Sequence, residues 1–178
     1  MPYEARHLAN FILDEGGRSV SAFTPMAIQK LIFFSHGWSL AFRDRSLVEN
    51  GFEAWKYGPV IPVLWDEFKA FGNKIVTARA RFTNPLTGEK SFIPYSIEGD
   101  DADFIRLILA YYAGFPAMVL SDLTHQAGTP WKIVRENMQK VANFGGAIDN
   151  ELIRNTFLRM DVSWLARAEI KIRPSILT

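Results

Sequence analysis

The 178-residue chain is long enough to bury roughly two-thirds of the surface that its unfolded form exposes, so it needs no covalent staple. Its formal charge of +1 gives no general attraction to phosphate backbones, and a nucleic-acid partner is not expected. The absence of cysteine excludes disulfides, thiolate nucleophiles and thiolate metal sites. The longest apolar stretches are interrupted by polar or charged residues and no signal-peptide core is visible, so we expect a soluble cytoplasmic protein without membrane contact.

The stretch from Thr24 to Arg43 predicts the helix around which the rest of the chain packs. Thr24 can cap the first turn, and Pro25 suits the first helical position because it lacks the N–H that would go unpaired there. Apolar residues, Trp38 among them, then cover almost the whole circumference, which is typical of a buried helix. We therefore predict an α+β fold that is mainly α: a helical bundle around a buried central helix over 25–43, with a small antiparallel β-hairpin or sheet.

Apolar periodicity and helix-capping residues predict six further helices. The first is expected to end at Gly16 and Gly17, because glycine is a poor helix former. The predicted helices begin near Ala5, Val60, Asp101, Ala117, Pro130 and Asp149. No linker, repeat or low-complexity tract separates them, so we expect a single domain over 1–178.

Short β elements are predicted at two places. Leu47–Val48 and Phe52–Trp55 are separated by an Asn-Gly step that readily takes positive φ, and they predict a hairpin. Residues 75–97 combine short strand-like runs with a turn-rich centre and predict a peripheral β-arm or loop of variable sequence. Residues 171–178 are expected to form a tail.

Groups that could perform catalysis are scarce. His7, His36 and His125 lie on three predicted helices without the i, i+4 spacing of a histidine metal pair, so we predict no metal site and no cofactor. Ser121 and Asp122 precede His125 within one helical turn, but no Gly-x-Ser-x-Gly elbow or oxyanion loop accompanies them. We predict no catalytic residue and no enzyme; a hydrolase using His125 or His36 is the least favoured alternative.

A polar seam on the central helix is the first candidate binding surface. Gln29, His36 and Arg43 are spaced by seven, so each lies about 20° from the last around the helix. The seam could line a groove for a partner. The alternatives are that it marks where the helix reaches water, or that His36 is a core histidine bonded to a backbone carbonyl.

The segment Trp55-Lys56-Tyr57-Gly58-Pro59 is the second candidate. Aromatic residues on both sides of a lysine, followed by a rigid Gly-Pro turn, are typical of a preorganised contact patch. Core packing of the aromatic rings is an equally weighted alternative.

Four blocks of the sequence resemble segments of a known family and follow one another in the same order. They are Ala9–Leu13, Thr24–Trp38, Phe52–Pro62, and Leu120–His125 followed by Pro130-Trp131. These blocks resemble the Panacea domain, also described as SocA-like or phage-associated GepA-like. Eight residues in them are expected to serve the motif or the fold: Thr24, Pro25, Lys30, Trp38, Gly58, Pro59, His125 and Trp131.

The resemblance implies an antitoxin. Panacea domains are commonly encoded beside a small toxin gene, in bacterial and prophage genomes, and neutralise the toxin by direct protein contact. The implied partner is a cognate toxin from the adjacent gene. The alternative is an adaptor or regulator that delivers a host or phage protein to a protease. The expected contact residues are Gln29, His36, Arg43, Trp55, Lys56, Tyr57 and the arm over 75–97.

Overall fold

The computed structural model describes residues 1–18, 22–140 and 146–167. Within these ranges the chain is mainly helical and carries small antiparallel sheets, so the predicted fold class is confirmed. The helices are α1 (Ala5–Arg18), α2 (Pro25–Arg43), α3 (Pro62–Phe68), α4 (Gly99–Tyr112), α5 (Ala117–His125), α6 (Pro130–Lys140), α7 (Asn150–Phe157) and α8 (Trp164–Arg167). The strands are β1 (Phe52–Trp55), β2 (Gly58–Val60), β3 (Arg81–Thr83), β4 (Lys90–Phe92) and β5 (Ala147–Ile148). The tail predicted at 171–178 lies outside the described residues.

Helix α2 is the packing axis of the molecule, as predicted. The Thr24 hydroxyl accepts a hydrogen bond from the Ala27 N–H at 3.3 Å, and Pro25 is the first helical residue. Every residue from Ala27 to Leu40 is buried, because α1, α4, α5 and α7 all pack against this helix. Its local capping signals and its apolar circumference therefore determine both its limits and its central place.

Close packing of α7 on α2 depends on Gly37. A Cβ atom at this position would lie 2.3 Å from the Phe157 ring, which is itself buried. The neighbouring Trp38 is fully buried, and its indole N–H donates to the Tyr112 hydroxyl of α4 at 3.1 Å. The absence of a side chain at Gly37 thus allows α7 to approach the centre of the aromatic core.

The hairpin predicted between Leu47–Val48 and Phe52–Trp55 is wrong. Strand β1 instead pairs antiparallel with β2 on one side and with β5 on the other, in the order β2-β1-β5. Val48 forms an isolated parallel bridge with Tyr3. The side chain of Asn50, which was expected to shape the hairpin turn, accepts from the Ala5 N–H at 2.8 Å at the start of α1. Long-range partners therefore override the local turn signal.

The predicted end of α1 at Gly16 and Gly17 is also wrong, because the helix continues to Arg18. A glycine in a helix costs only about 1 kcal/mol relative to alanine. The apolar side of α1 is buried against α2 and α3, and this packing outweighs the local preference.

Within the arm at residues 75–97, β3 pairs antiparallel with β4. The base of the arm is fixed by Asn10 of α1, a buried residue. Its amide donates to the carbonyls of Ala80 and Ile93, both at 3.2 Å, and accepts from the Ala80 N–H at 2.7 Å. Farther out, Phe82, Leu86 and Phe92 are exposed. The arm is thus anchored at its base and open at its tip.

Within the described ranges no single helix is both long and apolar enough to cross a membrane, and α4 with α5 reaches that length only as a pair bent by 97°.

Candidate functional site

The turn between β1 and β2 is held in place by side chains from neighbouring helices. The Trp131 indole of α6 donates to the carbonyl of Trp55 at 2.7 Å, and the Ser121 hydroxyl of α5 donates to the carbonyl of Tyr57 at 3.0 Å. These bonds tie the carbonyls at both ends of the turn to α6 and α5. They explain why the Trp-Lys-Tyr-Gly-Pro segment closes a hairpin here, which sequence reasoning missed.

Lys30 of α2 holds the same hairpin from beneath. It is 1% exposed, and its ammonium group donates to the carbonyl of Pro59 at 3.0 Å. Gly58 has a φ of +102°, and a Cβ there would lie 2.5 Å from Lys30 Cε and 2.6 Å from Thr124 Oγ1. Glycine is therefore required both for the backbone conformation and for the close approach of the lysine.

Burial changes the ionisation of Lys30. Loss of solvent lowers the pKa of its ammonium group from the ordinary 10.5 to about 7. No carboxylate among the described residues forms an ion pair with it. Among the described residues, the Lys30 amine is therefore stabilised by its hydrogen bond to the Pro59 carbonyl.

A groove of about 770 Å³ lies beside the hairpin formed by β1 and β2. Its walls come from the start of α2, the β1–β2 turn, α3 with the following Gly-Asn loop, and the start of α5. Lys30 is among the lining residues although it is almost fully buried. Tyr57, Trp65 and Met118 line it while remaining 53%, 42% and 54% exposed. Exposed aromatic and methionine side chains around one concave surface are typical of an interaction site.

The predicted contact residues Trp55, Lys56 and Tyr57 all line this groove. The Trp55 ring lies edge-on to the ring of Trp65, with centroids 5.7 Å apart, and the Lys56 ammonium lies 5.1 Å from the centre of the Tyr57 ring. Sequence reasoning did not select Trp65 or Met118. The signal for Trp65 was its place outside the apolar stripe of α3, which leaves a large aromatic side chain facing solvent.

The polar seam of α2 does not form an open contact surface, because its three members bind other parts of the chain. Gln29 lines the groove but is almost fully buried. Its amide accepts from the Ile61 N–H at 2.9 Å and donates to the Ile61 carbonyl at 3.1 Å. Both polar ends of Gln29 are therefore used to fix the start of α3.

His36 lies in the interior rather than on a surface. The Val48 N–H donates to Nδ1 at 3.2 Å, so Nδ1 is the acceptor, and Nε2 carries the proton toward Asn150 Oδ1 at 2.9 Å. Burial lowers the pKa of the ring to about 4. The alternative of a satisfied core histidine describes this arrangement, although the backbone group bound is an N–H and not a carbonyl.

Arg43 lies at the far end of α2, away from the groove lining. Its guanidinium donates to Asp101 at 2.6 Å and lies 4.9 Å from the centre of the Phe104 ring. Arg45 also pairs with Asp101. The three seam residues therefore occupy separate environments, and the structure does not bring them together at one surface.

His125 and its neighbours serve packing around the hairpin. The His125 ring stacks on Trp131 with centroids 3.8 Å apart, and burial lowers its pKa. The Ser121 hydroxyl donates to Tyr57, so Ser121 is committed to the hairpin and not to His125. In the described part of the chain, no group of three His, Asp or Glu side chains is arranged to hold a metal ion.

Comparison with known proteins identifies the family. The family described as "Antitoxin SocA-like, Panacea domain" matches residues 28–132, more than half of the chain. The chain belongs to this family. A curated relative, antitoxin SocA of Caulobacter vibrioides (strain NA1000 / CB15N), is 31% identical over 160 residues, covering 90% of this chain and 85% of the relative. No solved structure matches the chain.

Membership of the SocA-like family confirms the resemblance inferred from the four sequence blocks. The matched range contains Lys30, the β1–β2 turn, Trp65 and Met118. It supports an antitoxin role, which implies a toxin as partner in general terms and favours a non-enzymatic protein.

Proposed function

We propose that this protein is the antitoxin of a two-gene pair and neutralises its toxin by direct contact at the groove. The observation that carries the proposal is the exposed rim formed by Tyr57, Trp65 and Met118 on a member of an antitoxin family. Large aromatic side chains that surround a concave surface are the usual centres of protein interfaces. In this proposal the residues Trp55, Lys56 and Tyr57 keep the contact role that the sequence suggested.

The rigidity of the hairpin supports the same proposal. Its turn is held by side chains of Lys30, Ser121 and Trp131, which come from three different helices. A surface that is already ordered loses little conformational entropy when a partner binds. Direct neutralisation of a toxin by this surface therefore requires no rearrangement of the fold.

The test is co-expression with the product of the adjacent small open reading frame. We expect that product to inhibit growth alone, to be harmless beside this protein, and to co-purify with it. The double variant Tyr57→Ala/Trp65→Ala should lose both protection and co-purification while keeping its melting temperature, because both side chains are exposed. The matched control is Leu158→Ala, which removes a half-exposed apolar side chain outside the groove.

Two outcomes would contradict the proposal. If the adjacent product is harmless alone and does not co-purify, this protein is not its antitoxin. If the double variant protects as well as Leu158→Ala, the contact lies elsewhere, and the exposed tip of the arm (Phe82, Leu86 and Phe92) becomes the next surface to change. The toxin's half-life separates blocking from the adaptor alternative, since delivery to a protease shortens it.

A further inference from the structure

The amine of Lys30 lies directly against the turn between β1 and β2. It donates to the Pro59 carbonyl at 3.0 Å, and a Cβ atom at Gly58 would lie 2.9 Å from Nζ and 2.6 Å from Thr124 Oγ1. Lys30, Gly58, Pro59 and Thr124 are all buried. The turn and α5 therefore enclose the amine and keep it from solvent.

The enclosed amine has no counter-ion among the described residues. The carboxylates of β1 and α3 bind other groups, which are the Trp55 indole for Glu53, the Arg81 N–H for Glu67 and the Lys69 amine for Asp66. A buried ammonium group without a counter-ion is unfavourable. Burial accordingly lowers the pKa of Lys30 to about 7, so the amine changes its charge near neutral pH.

His125 of α5 is the second titratable group at this place. In the described part of the chain its buried Nε2 has no hydrogen-bond partner. Burial lowers its pKa, and the charge of Lys30 lowers it further. The other charged groups that act on it are Asp122 of α5, which raises the pKa, and Lys132 and Arg135 of α6, which lower it. A proton on Lys30 and a proton on His125 therefore disfavour each other.

We propose that the charge on Lys30 controls a local opening of the turn over residues 55–59, because protonation of the amine favours a form in which the ammonium group reaches water. In the closed form the uncharged amine is covered by Pro59. Side chains of Lys30, Ser121 and Trp131 hold the turn through three hydrogen bonds to its carbonyls. Breaking these bonds opens the turn while the helices stay packed, which is the kind of local unit that opens below the global free energy of unfolding.

The opening also bears on toxin binding, and this part of the inference rests on the proposed function. Trp55, Lys56 and Tyr57 lie in the turn, so the open form lacks the ordered rim of the groove. A toxin bound at the rim would hold the turn closed. The opening itself is a property of the antitoxin alone.

The test follows amide hydrogen exchange of the full antitoxin alone by NMR, at about pH 8.5 and about pH 7. Rates are expressed as protection factors, which removes the intrinsic effect of pH on exchange. Amides of the β1–β2 ladder should be less protected than those in the middle of α2, because the opening is local. Their protection should fall about tenfold between the two pH values, since the pKa of Lys30 is about 7 in the closed form against 10.5 in water. His125 stays uncharged in this range, because its pKa lies below 6.5.

Two variants assign the fall to Lys30. Lys30→Met removes the amine, and its ladder amides should keep the same protection at both pH values. The matched control is Lys56→Gln, which removes the exposed lysine of the same turn and should retain the tenfold fall. If Lys30→Met does not fold, NMR titration of Lys30 Cε in the unchanged protein decides. A midpoint of about 7 that coincides with the loss of protection supports the proposal, and a midpoint of 10.5 overturns it.

Three results would overturn the proposal: ladder amides as protected as those of α2, protection that does not change with pH, or an equal fall in Lys30→Met. The experiment contains no toxin, so any of these results leaves the antitoxin role untouched. Conversely, if the protein fails to bind or neutralise the adjacent gene product, the proposed function fails and the opening of the turn stands on its own measurement.

Discussion

The Trp131 indole N–H donates to the carbonyl oxygen of Trp55 at 2.7 Å and so joins α6 to the end of β1. The same indole stacks against His125 of α5. One largely buried side chain thus links two helices to the hairpin that forms the groove rim. The positions of Trp55, Lys56 and Tyr57 therefore depend on a residue more than 70 positions away in sequence.

Trp131→Phe should lower the free energy of unfolding by about 1 kcal/mol, because it removes the hydrogen bond from the indole to the Trp55 carbonyl. Urea denaturation measures this loss. The matched control is Trp65→Phe, which removes an indole N–H from a side chain that is 42% exposed, and it should change stability little. Equal losses in the two variants would show that the hydrogen bond contributes nothing specific.

Lys30→Met should stabilise the protein most at low pH. The pKa of Lys30 is about 7 in the fold against 10.5 ordinarily, so its contribution to stability is present above pH 10.5 and is lost as pH falls through 7. Methionine removes this dependence. The advantage of the variant in free energy of unfolding should therefore grow by roughly 2–3 kcal/mol from about pH 9 to about pH 7. A constant advantage across this range would contradict the buried-ammonium account.

His36 should make the protein sensitive to mild acid. Its pKa is about 4 in the fold against 6.5 ordinarily, so the unfolded chain takes up a proton at higher pH than the folded protein does. Its stabilising contribution is present above about pH 6.5 and is lost as pH falls through 4, by roughly 3 kcal/mol. His36→Gln should flatten that part of the curve of unfolding free energy against pH. Parallel curves for the two proteins would contradict this assignment.

Gly37→Ala should destabilise the protein although alanine is the better helix former. The new methyl group would overlap the buried Phe157 ring, and overpacking of this kind costs about 1–3 kcal/mol. Chemical denaturation of Gly37→Ala in the unchanged and Phe157→Leu backgrounds tests the cause. The glycine substitution should cost clearly less when the ring is absent; the same cost in both backgrounds would mean that the strain lies elsewhere.

Some of this structure follows from local sequence. The limits of α2 were predicted because Thr24, Pro25 and a continuous apolar circumference act within a few residues of one another. The family could be recognised from the four sequence blocks, one of which is Thr24–Trp38 of this helix. Trp55, Lys56 and Tyr57 were selected as contact candidates because aromatic residues on both sides of a lysine, followed by a Gly-Pro turn, are visible in the sequence, and all three line the groove.

The hairpin and the polar seam show where local reasoning stops. The Asn-Gly step at 50–51 is a sound turn signal, but Asn50 caps α1 and β1 pairs with β2. Heptad spacing correctly places Gln29 and His36 on one side of α2. It does not show that the side chain of Gln29 would bind Ile61. Nor does it show that His36 would bind Val48 and Asn150.

The mainly helical fold, the central helix and membership of the SocA-like family could be predicted because they depend on patterns within continuous stretches of chain. The burial of Lys30 against Pro59 and the groove that Trp65 and Met118 share with Tyr57 became visible in the folded chain alone. Burial and charge environment could not be predicted because they are properties of a surface assembled from distant segments. Spacing along one helix gives the direction of a side chain but not what covers it.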